Sequence, residues 1–222
     1  IELMDEVAAN LGLGEPTGVE LPEVTGTRAN KETKKKLYTG TDQNWNPGDS
    51  LTAAIGQSDN RFTPMQLCVY ASTLASQGKR MRATFLNQVV SADYRTRLYI
   101  NQPEIVSTLN ISNEAFNAYN TGMQMVTSYY SAYMVGTAYE TFRGYPIAVA
   151  GKTGTAQHGN GLTSDNASLV CYAPADDPEI AIAIYVENGA VGGKLSYIAM
   201  DIMDTYFSQT GKYETVYGEN EI

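Results

Sequence analysis

A single histidine and two cysteines in 222 residues leave this chain short of the side chains from which most metal centres are built. His158 stands in a glycine-rich stretch, His158-Gly159-Asn160-Gly161, and neither Cys68 nor Cys171 is spaced to join it in a ligand set. It reads as a solvent-facing turn residue, and no metal or cofactor is expected. The cysteines lie far apart among apolar residues, which points to buried thiols rather than a disulfide framework. Basic residues are also scarce: 15 Lys and Arg stand against 24 Asp and Glu, a formal net charge of -9. Nucleic-acid binding needs a concentrated basic surface, so the balance argues against that partner. The one basic run, Lys34-Lys35-Lys36, sits in a polar stretch and reads as a solvated loop. No apolar run is long enough to cross a bilayer, and Ile1-Glu2-Leu3-Met4-Asp5 has neither the charged start nor the apolar core of a signal peptide. The chain is expected to continue a longer protein. With 43% hydrophobic residues it can bury the core of one domain, or of a large part of one.

Helical spacing comes first along the chain. Leu3, Val7, Ala8 and Leu11 predict a helix over 2–11 that Gly12 and Gly14 stop. A long polar connection, roughly 17–50, is punctuated by Pro16, Pro22, Gly26 and Pro47. Thr63 can then cap a helix over 63–76, with Pro64 in its first turn, Leu67, Tyr70, Ala71 and Leu74 on one face, and Gly78 closing it. A third helix is expected after Ser112, turning Phe116, Tyr119, Met123 and Val126 inward.

The last eighty or so residues read as strand, strand, strand, helix. Residues 145–150 run straight into Gly151-Lys152-Thr153-Gly154-Thr155, residues 169–172 form a second strand, and 179–187 a third. In the third, Ile180, Ile182, Ile184 and Val186 share one face, while Ala181, Ala183 and Tyr185 share the other, where the small alanines would admit a helix. Leu195, Ile198, Ala199, Ile202 and Tyr206 form the apolar face of a helix suited to cover the sheet. The short connections suit an antiparallel meander.

Gly151-Lys152-Thr153-Gly154-Thr155-Ala156-Gln157 resembles the Lys-Thr-Gly motif of penicillin-binding proteins and serine β-lactamases. The likeness extends to Gly136-Thr137-Ala138, to Tyr172-Ala173-Pro174-Ala175-Asp176-Asp177-Pro178 and to Val186-Glu187-Asn188-Gly189. Upstream, Ile55-Gly56-Gln57 with Thr63-Pro64-Met65-Gln66-Leu67, and Leu11-Gly12-Leu13-Gly14 with Thr17-Gly18-Val19, are similar to class B penicillin-binding proteins. Almost the whole chain is covered. The resemblance implies an α+β fold of the β-lactamase/transpeptidase type, an antiparallel sheet flanked by helices, of which 1–222 would be the C-terminal part. Residues 1–143 would supply mostly helices and loops, and 144–222 the Lys-Thr-Gly strand, two further strands and a final helix.

The same resemblance assigns Lys152 and Thr155 to catalysis, and Thr153, Gly154, Thr155 and Gln157 to substrate binding. The chemistry of these residues agrees. A peptide ending in a free carboxylate can add to a strand edge, main chain to main chain. Lys152 would place a positive charge near that carboxylate, Thr153 and Thr155 would offer hydroxyls, and Gly154 would present no side chain to obstruct the substrate. The Thr155 N–H would serve an oxyanion. The bland reading is a lysine capping an exposed strand end.

The family chemistry also needs a Ser-x-x-Lys nucleophile and a Ser-x-Asn element before the Lys-Thr-Gly strand. Ser76-Gln77-Gly78-Lys79 has the letters of the first but falls where a helix ends, and Ser58-Asp59-Asn60 has those of the second but reads as a turn entering the 63–76 helix. Ser164-Asp165-Asn166 follows the strand and is out of order. Both true elements are therefore expected before Ile1, with Ser58 as the genuine element held as the alternative. Tyr129, Tyr130, Tyr133 and Tyr139 read as packing rather than glycan-stacking residues. Asn166-Ala167-Ser168-Leu169 departs from relatives that carry a bulky aromatic there.

The function implied is a peptidoglycan D,D-transpeptidase, its partners stem peptides ending in D-Ala-D-Ala and β-lactam antibiotics. It would act at the extracytoplasmic face of a bacterial membrane to which the parent protein is anchored. A class A β-lactamase is less well matched, because its Glu-x-x-Leu-Asn pattern does not occur. A β-lactam-sensing or peptide-binding domain on the same fold stays open. In the family, two further strands from before the nucleophile pair beside the last strand. Without them the strand at 179–187 should have an open edge, driving dimerisation or retention of the missing N-terminal part.

Overall fold

Thr63 and Gln66 show how local sequence sets the first unit of this computed structural model, which describes residues 1–131, 133–157 and 163–211. The Gln66 N–H donates to Thr63 Oγ1 at 3.2 Å and the Thr63 N–H to Gln66 Oε1 at 3.1 Å, a reciprocal cap that starts helix α4 (Pro64–Ala75) with proline in its first turn. The Gln66 side chain is fully buried and its Nε2 also donates to the carbonyls of Glu15 and Thr25, each at 2.8 Å. One side chain thus caps a helix and satisfies two loop carbonyls that would otherwise be buried unpaired.

That unit, Ile1–Asn110, also contains α1 (Glu2–Asn10), α2 (Lys31–Leu37), a 3-10 turn (Gly40–Gln43) and α3 (Pro47–Ala54). Two antiparallel strand pairs complete it: β1 (Lys79–Met81) with β4 (Ile105–Thr108), and between them β2 (Gln88–Val90) with β3 (Arg97–Ile100). The polar connection expected over 17–50 therefore holds two helices. Asn30 caps the first by accepting from the Thr33 N–H, and Pro47 opens the second. The lysine run lies on α2, not in a solvated loop: Lys34 is buried, its Nζ 2.5 Å from Asp49 Oδ2 and 5.9 Å from the Trp45 ring centre. A desolvated, paired ammonium is invisible to composition, because the partner lies fifteen positions away. Of the apolar face expected on α1, Leu11 is buried and Leu3 exposed.

The second unit runs from Ile111 onward. Ser112 accepts from the Ala115 N–H to start α5 (Asn113–Met125), as the sequence indicated. A hairpin of β5 (Tyr129–Ser131) and β6 (Met134–Val135) and the short helix α6 (Tyr139–Phe142) lead to β7 (Ala150–Ala156), β8 (Asn166–Ala173) and β9 (Ile180–Val186). These three form one antiparallel sheet with β8 in the middle, and a 3-10 turn (Gly192–Leu195) enters α7 (Ser196–Thr210). The six short strands before residue 143 carried no periodicity long enough to register. Strand β7 starts at Ala150 rather than Tyr145, since Pro146 has no N–H to give a ladder and Ile147 and Val149 are drawn into the core.

Register decides which helix covers which face. Gly151, Cys171 and Ile182 stand side by side, as do Thr153, Leu169 and Ile184, and α7 packs Ala199, Met203 and Phe207 into the same core. The C-terminal helix therefore covers the isoleucine face, not the alanine face expected from sequence. Its buried row is Leu195, Ala199, Met203 and Phe207, while Ile198 and Ile202 are exposed. Helix α5 serves the opposite face, where the Tyr172 hydroxyl donates to Asn120 Oδ1 at 2.7 Å. Among the described residues β9 pairs with β8 alone. Of the tyrosines expected to be packed, Tyr129, Tyr130 and Tyr133 are exposed, while Tyr139 is half-buried with its ring against Tyr129.

Candidate active site

Strand β7 is an outer strand of the sheet. It pairs with β8 from Ala150 opposite Tyr172 to Ala156 opposite Asn166, and among the described residues its other edge has no strand beside it. An antiparallel edge strand presents alternate N–H and C=O groups outward, the chemistry that an added peptide strand needs. Lys152, Thr153, Gly154 and Thr155 all lie on this strand, and Gln157 follows it, exposed.

The Lys152 side chain is exposed, and its Nζ donates to the Thr153 carbonyl at 2.5 Å. Thr153 Oγ1 lies 2.7 Å from Thr137 Oγ1. Thr155 Oγ1 accepts from the Gly192 N–H at 3.2 Å, so this hydroxyl keeps its proton for another acceptor. The glycine between them answers to its neighbour strand: a Cβ on Gly154 would fall 2.3 Å from Ser168 Oγ, which would have to rotate away. Packing within the sheet thus also favours a small residue at this position.

Three residues to which the sequence assigned no role at the site hold this strand. Thr137 reaches Thr153, Ser168 lies against Gly154, and Gly192 packs on the Gly154 carbonyl. Beneath them Ser196 Oγ, 2.6 Å from Thr141 Oγ1, donates to the Gly193 carbonyl at 2.6 Å, fixing the loop that carries Gly192. Thr137 was legible as part of a motif, but the motif does not reveal which strand it meets.

The three serine-containing stretches each have structural employment. Ser76 is the C-cap of α4, Gln77 and Gly78 turn with positive φ, and Lys79 is the exposed first residue of β1. Ser58 has φ +67°, Asp59 is buried and accepts from the Tyr38 hydroxyl at 2.9 Å, and this bond to a carboxylate raises the Tyr38 phenol above its usual pKa. Asn60 accepts from the Ala29 N–H at 2.8 Å and donates to the Gln57 carbonyl at 3.1 Å, as a turn residue does. In the third triplet Asn166 accepts from the Asn188 N–H at 3.0 Å and the Asp165 carbonyl from the Ala190 N–H at 2.9 Å, tying β8 to the loop after β9. His158 lies outside the described residues.

Known proteins share the sequence and the fold of this chain. The family described as penicillin binding protein transpeptidase domain matches residues 2–204. Penicillin-binding protein 2B of Streptococcus pneumoniae is 29% identical over 214 residues, covering 93% of this chain and 29% of that protein. Peptidoglycan D,D-transpeptidase MrdA of Haemophilus influenzae is 28% identical over 230 residues, covering 94% of this chain and 33% of that protein. The crystal structure of Pseudomonas aeruginosa PBP2 in complex with WCK 5153 superposes with a TM-score of 0.78 at 27% identity, over 99% of this chain and 45% of that one. The chain belongs to the penicillin-binding protein transpeptidase family, and its fold is the α+β, β-lactamase-like one of that family. It spans about a third of the length of these two curated relatives.

Proposed function

We propose that the protein containing this chain is a serine-type D,D-transpeptidase of peptidoglycan cross-linking, and that β7 is the strand on which its donor peptide lies. The observation that carries the reading is that β7 ends the sheet among the described residues, with Lys152, Thr153 and Thr155 together on it in a chain of this family. A stem peptide ending in D-Ala-D-Ala would add to that edge, its terminal carboxylate met by the Lys152 ammonium and the threonine hydroxyls, with Gln157 further along the strand. The Thr155 N–H would stabilise the oxyanion.

The serine Oγ would attack the penultimate D-alanine carbonyl, giving up its proton to a neighbouring base. The peptide C–N bond breaks, the released D-alanine takes a proton on its amine, and an ester to the serine remains. An acceptor amine then attacks the ester carbonyl, the C–O bond breaks, and the serine regains its proton. β-Lactams would enter the same path and stop at the ester, because their leaving group stays tethered.

The nucleophile and the Ser-x-Asn element would lie outside these residues. The engagement of Ser76, Asp59, Asn60 and Asn166 in caps and turns supports this. The remaining strands of the domain would continue the sheet beyond β9 in the whole protein or, failing them, a second copy would do so. Anchoring outside the cytoplasmic membrane would come from the rest of the protein, since no helix among the described residues is long and apolar enough to cross one. The test is release of D-alanine from a peptide ending in D-Ala-D-Ala by the full-length protein. No release, with Lys152→Ala indistinguishable from the parent, would remove the reading.

A further inference from the structure

The backbone on either side of Thr137 is fixed by hydrogen bonds. The Gly136 N–H donates to the Ser128 carbonyl at 3.0 Å and the Ala138 N–H to the Val126 carbonyl at 2.9 Å, bracketing it on both sides. Gly136 has no room for a side chain, since a Cβ there would lie 2.2 Å from the Val126 carbonyl oxygen. Gly193 presses on Thr137 from the far side, where a Cβ would come within 2.5 Å of its carbonyl oxygen. The product of these contacts is a hydroxyl delivered to Thr153 Oγ1 at 2.7 Å.

Two hydroxyls in contact have two proton arrangements. If Thr153 donates to Thr137, it turns lone pairs outward and repels an anion. If Thr137 donates to Thr153, the Thr153 proton is free to point outward and bind one. A carboxylate can only accept, so it selects the second arrangement, and the chain from Thr137 through Thr153 to the carboxylate is then polarised in one direction.

We propose that Thr137 is a positioning residue for the terminal carboxylate of the substrate, acting through Thr153, whose rotamer and proton direction it sets. This rests on the reading of β7 as the substrate strand. Thr137 itself need not touch the ligand. Removing its hydroxyl weakens recognition of carboxylate-bearing ligands and leaves those without a carboxylate unaffected.

The experiment compares the full-length protein with its Thr137→Val, Thr137→Ser and Thr153→Val variants. The second-order rate of acylation is measured with benzylpenicillin and with its methyl ester, which lacks the free carboxylate. The ratio of the two rates is the readout, because a general loss of structure lowers both rates together. Thr137→Val should lower the acid-to-ester ratio about 3- to 10-fold, the worth of one hydrogen bond. Thr137→Ser should keep the parental ratio, and Thr137→Val should add nothing on a Thr153→Val background. An unchanged ratio in Thr137→Val beside a lowered one in Thr153→Val overturns the role of Thr137 alone. An unchanged ratio in Thr153→Val overturns carboxylate binding by Thr153 and the inference with it. Absence of acylation in the parent overturns the proposed function itself.

Discussion

Gly192 rests on the backbone of the candidate strand at Gly154: a Cβ on Gly192 would fall 2.2 Å from the Gly154 carbonyl oxygen and 2.7 Å from that of Ser168. Carbonyls in a ladder cannot rotate aside as a side chain can, so the whole loop would have to lift. Lifting it also breaks the bond from the Gly192 N–H to Thr155 Oγ1. Gly192→Ala should therefore destabilise the chain by about 1–3 kcal/mol, read as a lowered thermal midpoint. It should also slow acylation of the full-length protein. A midpoint equal to the parent's would show that the loop is not seated on β7.

The serine-containing stretches make a separate test. Ser76→Ala and Ser58→Gly should leave the acylation rate of the full-length protein unchanged, since Ser76 ends a helix and Ser58 occupies a turn with φ +67° that glycine adopts freely. Loss of acylation in Ser58→Gly would reinstate Ser58-Asp59-Asn60 as the catalytic element.

Lys34 and Asp49 give the first unit a pH dependence of known sign. The hydrogen bond from Lys34, with the Asn46 N–H beside it, holds the Asp49 carboxyl below the usual carboxylate range. A carboxyl whose folded pKa is depressed stabilises the fold above its unfolded pKa, and that contribution is lost as pH falls through the folded value. The stability difference between the parent and Asp49→Asn should be full at neutral pH and shrink as pH drops below about 4. Denaturant titrations across that range measure it. A difference that stays constant to acid pH would mean that the pair does not form.

The rotation of α7 can be checked by contrast. Met203 is fully buried, so Met203→Ala should cost about 2–5 kcal/mol. Ile202→Ala, at an exposed position in this chain, should cost within about 0.5 kcal/mol. The opposite ranking would restore the helix face inferred from sequence.

That misplaced face shows where the sequence was legible and where it was not. Caps and breakers act locally, so Thr63, Ser112, Gly78 and the limits of the third strand were readable. Burial is a tertiary property. In α7, Ile198 and Ile202 are as apolar as Ala199 and Met203, so the helix's own sequence does not tell which row meets the sheet. Lys34 was misread for the same reason, because its partner Asp49 sits on another helix.

The candidate site divides along similar lines. Lys152, Thr153, Gly154 and Thr155 were recognisable from contiguous letters. Thr137, Ser168 and Gly192 come to the strand from 16, 14 and 37 positions away, measured to Thr153, Gly154 and Thr155 respectively, through backbone paths that no short motif encodes.

The most direct test is intact mass of the full-length protein after incubation with benzylpenicillin, with peptide mapping of the adduct. A stoichiometric adduct on a serine outside these 222 residues, slowed by Lys152→Ala, is the expected result. An adduct on Ser58 or Ser76, or no adduct at all, would contradict the account.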